Sequence, residues 1–376
     1  MYKGYTVTDA HMHYSPQMGP EKLAEFMKET GTDSAVIQAV SHSKCISLIP
    51  GALVMKHMNS DRIYVFGSPD ASEYYLHPDE IGKYQAEYIK RMLEAGIDGV
   101  KMLEGKPQMR KSLPIPDFDK PCWEPFWEFM EESGTALTWH VNDPEDHWST
   151  DVSDWVKKQG WWYDESYINN EVQYTQVLNV MERHPNLRAV FAHFFFMSAQ
   201  LDRLDDIMDR FPNVMVDLTP GIEMYENFSA DIDCTRAFFA KHAGRIIYGT
   251  DIGGRCILTN EGEVFNVAEN LRRPEIVRTF LGGEGEVTIE SDGNFLIQRK
   301  PFVMQCLNLE GERLERILSG NIRGQIGGNP KPVCPEAVLE FCVSLKDRQD
   351  LMSRKDSGFC PDYSQILLAE EYFSHY

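Results

Sequence analysis

Two histidines stand two positions apart near the start of the chain, in the stretch TVTDAHMHY. On a β-strand, His11 and His13 would face the same way, roughly 6.6–6.8 Å apart along the backbone. Two imidazoles at that separation can lean onto one metal ion with bonds of about 2.0–2.1 Å. Two solvated or core histidines give the same triplet, so its interpretation depends on the side chains that the fold brings beside it.

The elements that would position these histidines alternate along the chain between strand-like and helix-like stretches. Eight strand candidates each precede a helix or a loop, at residues 5–10, 34–40, 62–67, 99–103, 136–141, 188–193, 213–218 and 245–251. This rhythm predicts an α/β fold, a (β/α)8 TIM-type barrel. A doubly wound sheet is the structural alternative, but no GxGxxG follows the first strand.

Two segments depart from the rhythm. A long loop with four tryptophans follows the fifth strand at residues 143–170, and is either a small satellite core or a lid over the barrel mouth. Residues 253–301 form an insertion after the eighth strand, with a sequence typical of a local hairpin or a disordered excursion. We therefore expect a catalytic barrel domain over residues 1–330 and a C-terminal extension, residues 331–376, packed on the barrel.

Composition narrows the classes of partner. The 376 residues carry a formal net charge of −21, which argues against binding to nucleic acid and to anionic membranes. We expect a small-molecule substrate and further copies of the same chain as partners. No run of about 18 apolar residues predicts a membrane span, and the N-terminal stretch lacks a signal-peptide pattern. The eight cysteines form no CxxC pair, which favours reduced thiols and a cytoplasmic location.

The carboxyl ends of the strands in such a barrel meet at one rim, where catalytic residues gather. Three neutral imidazoles with one carboxylate suit Zn²⁺ or another borderline divalent ion, which lowers the pKa of bound water from about 16 to near 7. Asp251 could then bind the ion, hold the water and shuttle its proton. A spare imidazole at His193 could polarise a substrate carbonyl or act as acid or base. The polar residues at the predicted strand ends are His11, His13, Lys101, His140, His193 and Asp251.

These stretches resemble the amidohydrolase superfamily, in its amidohydrolase-related branch that includes aminocarboxymuconate semialdehyde decarboxylase and resorcylate decarboxylase. The matching motifs are TDAHMH, GVKML, HPNLRAVFAHF, FPNVMVDLTPG, RIIYGTDIGG and LERILSGNIRGQIG, which follow the family's order over roughly residues 5–327. The resemblance implies a TIM-type barrel with a divalent metal, usually zinc and one per chain, and it suggests a dimer. It also implies roles for single residues: His11, His13 and His140 as metal ligands, Asp251 as ligand and acid, and His193 as the catalytic histidine.

The chain departs from the family pattern after the sixth strand, where AHFFFMSAQ replaces residues that are often glycines. Lys101 stands where some superfamily members carry a carboxylated lysine that bridges two metals. An ordinary lysine that pairs with a carboxylate or contacts substrate is the alternative reading. Arg255, His147 and Trp139 are candidate substrate-binding residues. The phenylalanine run at 194–196 could line an aromatic pocket, although alternation along strands sends at least half of such residues into the core.

The leading functional hypothesis is a metal-dependent hydrolase acting on an amide, ester or lactone of a small organic acid through a metal-activated water. A non-oxidative decarboxylase of the same branch is the alternative, and an arginine such as Arg255 that clamps the departing carboxylate would favour it. A binding barrel without chemistry is a third hypothesis from another class. The complete set of ligand residues argues against that third hypothesis, since drift would erode such a set.

Overall fold

A computed structural model of the chain describes residues 2–17, 19–41, 45–150, 152, 157, 160–221, 223–253, 267–290 and 301–376. Within these ranges eight parallel strands form one sheet in sequential order from β1 to β8. The strands are β1 Thr8–His13, β2 Ser34–Ala39, β3 Ile63–Gly67, β4 Gly99–Gly105, β5 Ala136–Val141, β6 Ala189–Phe191, β7 Met215–Asp217 and β8 Ile246–Ile247. The predicted (β/α)8 barrel is therefore confirmed.

The barrel closes where the chain just past β8 runs beside β1. Ala10 N–H donates to the Tyr248 carbonyl at 3.0 Å, and Asp251 N–H donates to the His11 carbonyl at 2.7 Å. Gly249 is required at this seam, because a Cβ there would lie 2.9 Å from the Cβ of His11. The seam thus draws the segment that carries Asp251 against the strand that carries both histidines.

Helices alternate with the strands on the outside of the barrel. Gly96 caps the helix Ile81–Ala95 at its C-terminal end in the left-handed conformation, with φ 107°. The helices are α1 Gly19–Thr30, α2 Ile49–Met58, α3 Glu73–Leu76, α4 Ile81–Ala95, α5 Pro107–Ser112, α6 Glu124–Ser133, α7 Asn170–Arg183, α8 Leu201–Arg210, α9 Met224–Ala230, α10 Ile232–His242, α11 Val267–Gly282, α12 Gly311–Glu315, α13 Asn321–Ile326, α14 Pro335–Lys355 and α15 Ser364–Phe373.

Several strand boundaries differ from those predicted. β1 ends on His13 instead of on Ala10, so both histidines lie within the strand and not after it. β6 and β8 are shorter than predicted, with three and two residues. β6 stops because the chain turns at Ala192–Phe196 into a tight, partly left-handed turn. The sequence run alone could not show these early exits from the sheet.

The segment after β8 contains more structure than the sequence indicates. Two antiparallel strands pair here, β9 Glu286–Ile289 and β10 Phe302–Gln305; β9 lies within the predicted insertion, and β10 begins just after its predicted end. The helix α11 before it was not predicted; it carries Pro274 in its interior, a residue that usually ends a helix. The C-terminal helices α14 and α15 pack against α2 and α4 on the outside of the barrel.

Among the described residues, no helix has the length and apolar character needed to cross a membrane. The seven cysteines that the structure describes are all free thiols.

Candidate metal centre

Two imidazoles and one carboxylate converge at the mouth of the barrel. The Nε2 atoms of His11 and His13 lie 3.3 Å apart. Asp251 Oδ1 lies 3.1 Å from His13 Nε2 and 3.7 Å from His11 Nε2. One ligand atom from each of these three residues falls within 4.8 Å of the others, so a single ion could contact all three. The arrangement is the one that the i, i+2 spacing on a strand predicts.

Asp217, at the end of β7, orients the first of these histidines. Its Oδ2 lies 2.7 Å from His11 Nδ1. An Nδ1–H that donates to this carboxylate leaves His11 Nε2 with a lone pair facing the centre. Burial raises the pKa of Asp217, but the charge and hydrogen bond of His11 outweigh it and hold the pKa below its ordinary value.

The histidines of the centre are held neutral. Burial, followed by the charge of Lys101, lowers the pKa of His11 to about 4. Burial likewise lowers the pKa of His13, against the opposing effect of Asp251. Burial raises the pKa of Asp251, but its hydrogen bond to His13 and the neighbouring histidines bring it well below the ordinary value. At neutral pH the group therefore offers two imidazole nitrogens with lone pairs and an ionised carboxylate, which is a donor set that suits a divalent ion.

Lys101 lies inside the same cluster. Its Nζ is 3.0 Å from His11 Nε2, and the residue is fully buried. Burial lowers the pKa of Lys101 to about 8, although Asp217 and Asp251 raise it. The side chain thus lies within reach of a group bound at the centre, both as a carboxylated lysine and as an ordinary one.

His140 stands apart from the three-residue group. Its ring centroid is 4.9 Å from that of His193, which in turn lies 5.7 Å from that of His11. His140 Nε2 lies 3.5 Å from Asp143 Oδ1. Among the described residues at the barrel mouth, the group that could share one ion contains His11, His13 and Asp251 but not His140. His140 therefore lies at the mouth of the barrel, but the ring of His193 stands between it and His11. A metal ligand would have to lie closer to His11 and His13.

His193 lies between His11 and His140, in the turn that follows β6. Its backbone N–H donates to Asp217 Oδ1 at 2.8 Å. Its Nδ1 is 3.3 Å from the carbonyl oxygen of Thr219, so an Nδ1–H can donate there. This tautomer leaves Nε2 as a proton acceptor. Burial lowers the pKa of His193 well below its ordinary value, so the ring is neutral.

The candidate substrate-binding residues meet different outcomes. Arg255 lies outside the described residues. His147 is buried in a short turn, Glu145–Trp148, with its ring stacked 6.0 Å from that of Trp161. Trp139 does not line the pocket, because it points away from the barrel axis into the core between β5 and α6. Its ring packs 4.9 Å from Trp127 and 5.1 Å from Phe118, and it is fully buried.

Sequence reasoning missed a polar network beside His140. Asp143 Oδ1 accepts a hydrogen bond from Lys106 Nζ at 2.8 Å, and its Oδ2 accepts one from the Tyr163 hydroxyl at 2.5 Å. Burial raises the pKa of Asp143, but Lys106 and His140 lower it below the ordinary value. Asp143 and Tyr163 both belong to the long loop after β5, and Asp143 joins this loop to Lys106 and His140 at the mouth of the barrel.

Two further residues near the centre were also missed. Asp217 is the last polar residue of the predicted strand 213–218, one position before its end, and the same strand-end rule that selected Asp251 would have found it. Arg273 comes from α11; its guanidinium donates to the Asp251 carbonyl oxygen and lies 3.7 Å from Asp251 Oδ2. No pattern in the sequence signals Arg273, because α11 reaches the mouth only through the tertiary fold.

A model of the amidohydrolase family matches residues 77–258 of the chain. No curated protein matches the sequence. A solved structure described as amidohydrolase II shares 12% identity over 85% of this chain and 99% of that one, with a TM-score of 0.53. A TIM-barrel protein from Bordetella bronchiseptica shares 14% identity over 86% of this chain and 99% of that one, with a TM-score of 0.52.

The IDCase of Metarhizium anisopliae, in its apo form, shares 12% identity over 85% of this chain and 97% of that one, with a TM-score of 0.50. At these identities the structural likeness shows the fold alone. Amidohydrolase-superfamily enzymes generally use a divalent metal and include hydrolases and decarboxylases. The family match confirms the resemblance over residues 77–258, which hold the motifs GVKML, HPNLRAVFAHF, FPNVMVDLTPG and RIIYGTDIGG.

Proposed function

We propose that the protein is a metal-dependent hydrolase that acts on an amide, ester or lactone of a small organic acid. The convergence of His11 Nε2, His13 Nε2 and Asp251 Oδ1 within 3.1–3.7 Å carries this proposal. These donors fit a borderline divalent ion, and zinc is the one we favour. When bound, such an ion supplies Lewis acidity and an activated water at neutral pH.

The residues around the centre would then handle the proton and the substrate. The ionised Asp251 carboxylate can accept the proton of the attacking water and pass it to the leaving group. His193 Nε2, an acceptor in the tautomer that Thr219 favours, can take part in the same transfer. This tautomer makes His193 a proton acceptor instead of the donor that would polarise the substrate carbonyl. The buried ammonium of Lys101, 3.0 Å from His11 Nε2, would orient an oxygen of the substrate.

Metal content and one matched pair of variants test the proposal. Protein purified without added metal or chelator should carry about one equivalent of divalent metal per chain. Two equivalents would indicate a bridging, carboxylated Lys101 and would still support hydrolysis. Asp251→Asn should abolish turnover of amide, ester and lactone substrates, whereas the control Asp233→Asn, on an exposed position of α10, should retain it. Failure to take up zinc or manganese, or undiminished turnover by Asp251→Asn, would contradict the proposal; lack of uptake would favour a binding barrel.

The second candidate is non-oxidative decarboxylation, and one observation favours it. Lys101 places a buried cation 3.0 Å from His11 Nε2, where it could hold a substrate carboxylate. Solvent isotopes separate the two reactions. Hydrolysis in water enriched in oxygen-18 puts one labelled oxygen in the product acid, whereas decarboxylation in deuterium oxide puts one deuterium on the carbon that loses CO₂.

A further inference from the structure

The turn that follows β6 has an unusual backbone. Four consecutive residues other than glycine, His193, Phe194, Phe195 and Phe196, have φ values of 54°, 55°, 58° and 53°. Side chains disfavour this left-handed region, because the Cβ atom crowds the following carbonyl oxygen. A run of four such residues persists only where the surrounding structure holds it, and backbone strain of this kind gathers at functional sites.

The first part of the turn is anchored to the barrel. His193 N–H donates to Asp217 Oδ1 at 2.8 Å, and the Tyr174 hydroxyl donates to the Phe195 carbonyl oxygen at 2.9 Å. The Phe195 ring stacks 3.9 Å from that of Phe191, inside the core. Phe194 also points into the core, 4.9 Å from Phe228. Both rings are fully buried, so neither is available to a ligand.

Phe196 takes the opposite direction. Its ring stacks on His193, with centroids 5.1 Å apart and planes at 29°, and it lies 5.3 Å from the ring of His140. Unlike its two neighbours, it is partly exposed. The left-handed turn therefore buries two phenylalanines as anchors and presents the third as an apolar wall beside the two histidines.

We propose that Phe196 is a substrate-contacting, specificity-determining residue that selects a flat, unsaturated acyl group. This inference rests on the proposed function for its choice of an acid-derived substrate. An aromatic wall prefers a planar partner, since flat rings gain from offset stacking beyond the area that they bury. A saturated ring of the same carbon count is puckered and has no π-system, so it cannot stack on the wall in this way and loses that gain.

Direct binding of two product-like probes tests the wall without requiring turnover. Benzoate and cyclohexanecarboxylate carry the same charge and ring size but differ in planarity, and titration calorimetry gives both dissociation constants. Wild-type protein should bind benzoate roughly threefold to tenfold more tightly than cyclohexanecarboxylate. Phe196→Leu should reduce this ratio to about one, and Phe196→Tyr, which keeps the ring, should preserve it. Phe196→Met provides a second replacement without a ring, and thermal unfolding checks that each variant is folded.

The proposal would be overturned if the wild type bound benzoate and cyclohexanecarboxylate equally well or bound neither. It would also be overturned if both Phe196→Leu and Phe196→Met kept the wild-type ratio of dissociation constants. The same proteins assayed with esters of the two acids separate this inference from the proposed function. Discrimination in binding without hydrolysis of either ester would leave the wall in place and refute the hydrolase. Hydrolysis of both esters at equal kcat/KM, with no discrimination in binding, would refute the wall alone.

Discussion

Asp217→Asn should weaken metal binding although Asp217 itself contacts no metal in the proposed centre. Every group around the carboxylate is a donor. Oδ2 accepts from His11 Nδ1 at 2.7 Å, and Oδ1 accepts from His193 N–H at 2.8 Å and Thr219 N–H at 3.1 Å. An asparagine has one amide oxygen and one NH₂ group, so its NH₂ must face at least one of these donors.

Either orientation of the amide removes something that the centre needs. With NH₂ toward His11, the imidazole must move its proton to Nε2, which blocks the nitrogen that faces the other ligands. With NH₂ toward His193 and Thr219, two buried N–H groups lose their acceptor. A hydrogen bond to a charged group contributes about 1.5–3 kcal/mol, and loss of such an outer partner of a ligand lowers metal affinity by about 10–100-fold.

The assay is a competition for Zn²⁺ between metal-free protein and a chromophoric chelator, with the dissociation constant as the readout. Glu131→Gln is a matched control, because Glu131 Oε2 lies 3.1 Å from His184 Nδ1 and Oε1 accepts from Asn186 N–H at 2.8 Å, away from the centre. We expect Asp217→Asn to raise the dissociation constant and Glu131→Gln to leave it unchanged. A value for Asp217→Asn within twofold of wild type, or equal losses in both variants, would refute the assignment.

Three further predictions concern stability. Burial raises the pKa of Glu104 to about 7 from an ordinary 4.5. Between these two pH values the unfolded chain binds fewer protons than the folded chain, so the free energy of unfolding of the wild type falls as pH rises. Urea unfolding should show Glu104→Gln gaining up to about 3 kcal/mol over wild type between pH 4.5 and 8; parallel pH profiles would contradict this. Arg348 Nε in α14 lies 2.9 Å from both Asp70 Oδ2 and Glu73 Oε1. Arg348→Met should therefore cost about 3 kcal/mol, because it removes the cation that these two buried carboxylates share. Lys83→Ala, in an exposed pair with Glu80, should cost under about 0.5 kcal/mol. Equal costs would show that α14 is not held by this ion pair. Tyr174→Phe removes the hydroxyl that donates to the Phe195 carbonyl at 2.9 Å and should lower the free energy of unfolding by about 1–2 kcal/mol; an unchanged value would mean that the left-handed turn is held by packing alone.

The barrel and the three converging residues of its candidate metal centre were predictable from the sequence. Alternating strand and helix patterns specify parallel strands, and parallel strands in a barrel bring their carboxyl ends to one rim. His11, His13 and Asp251 meet there because the two histidines share one face of a strand and the segment past β8 lies beside that strand. The reasoning depends only on residue order and strand periodicity, which the sequence contains.

The tertiary structure alone decided which of the nearby side chains face the centre. Trp139 and the run Phe194–Phe196 each adjoin a histidine of the rim in the sequence, yet among these four side chains only the ring of Phe196 packs against the histidines. A run of positive φ values sets its direction, and that run is stabilised by Asp217 and Tyr174 from other elements. Arg273, which stands 22 residues after Asp251 in the sequence, likewise reaches it from α11. Such directions arise from contacts between distant segments, and residue type and spacing do not encode them.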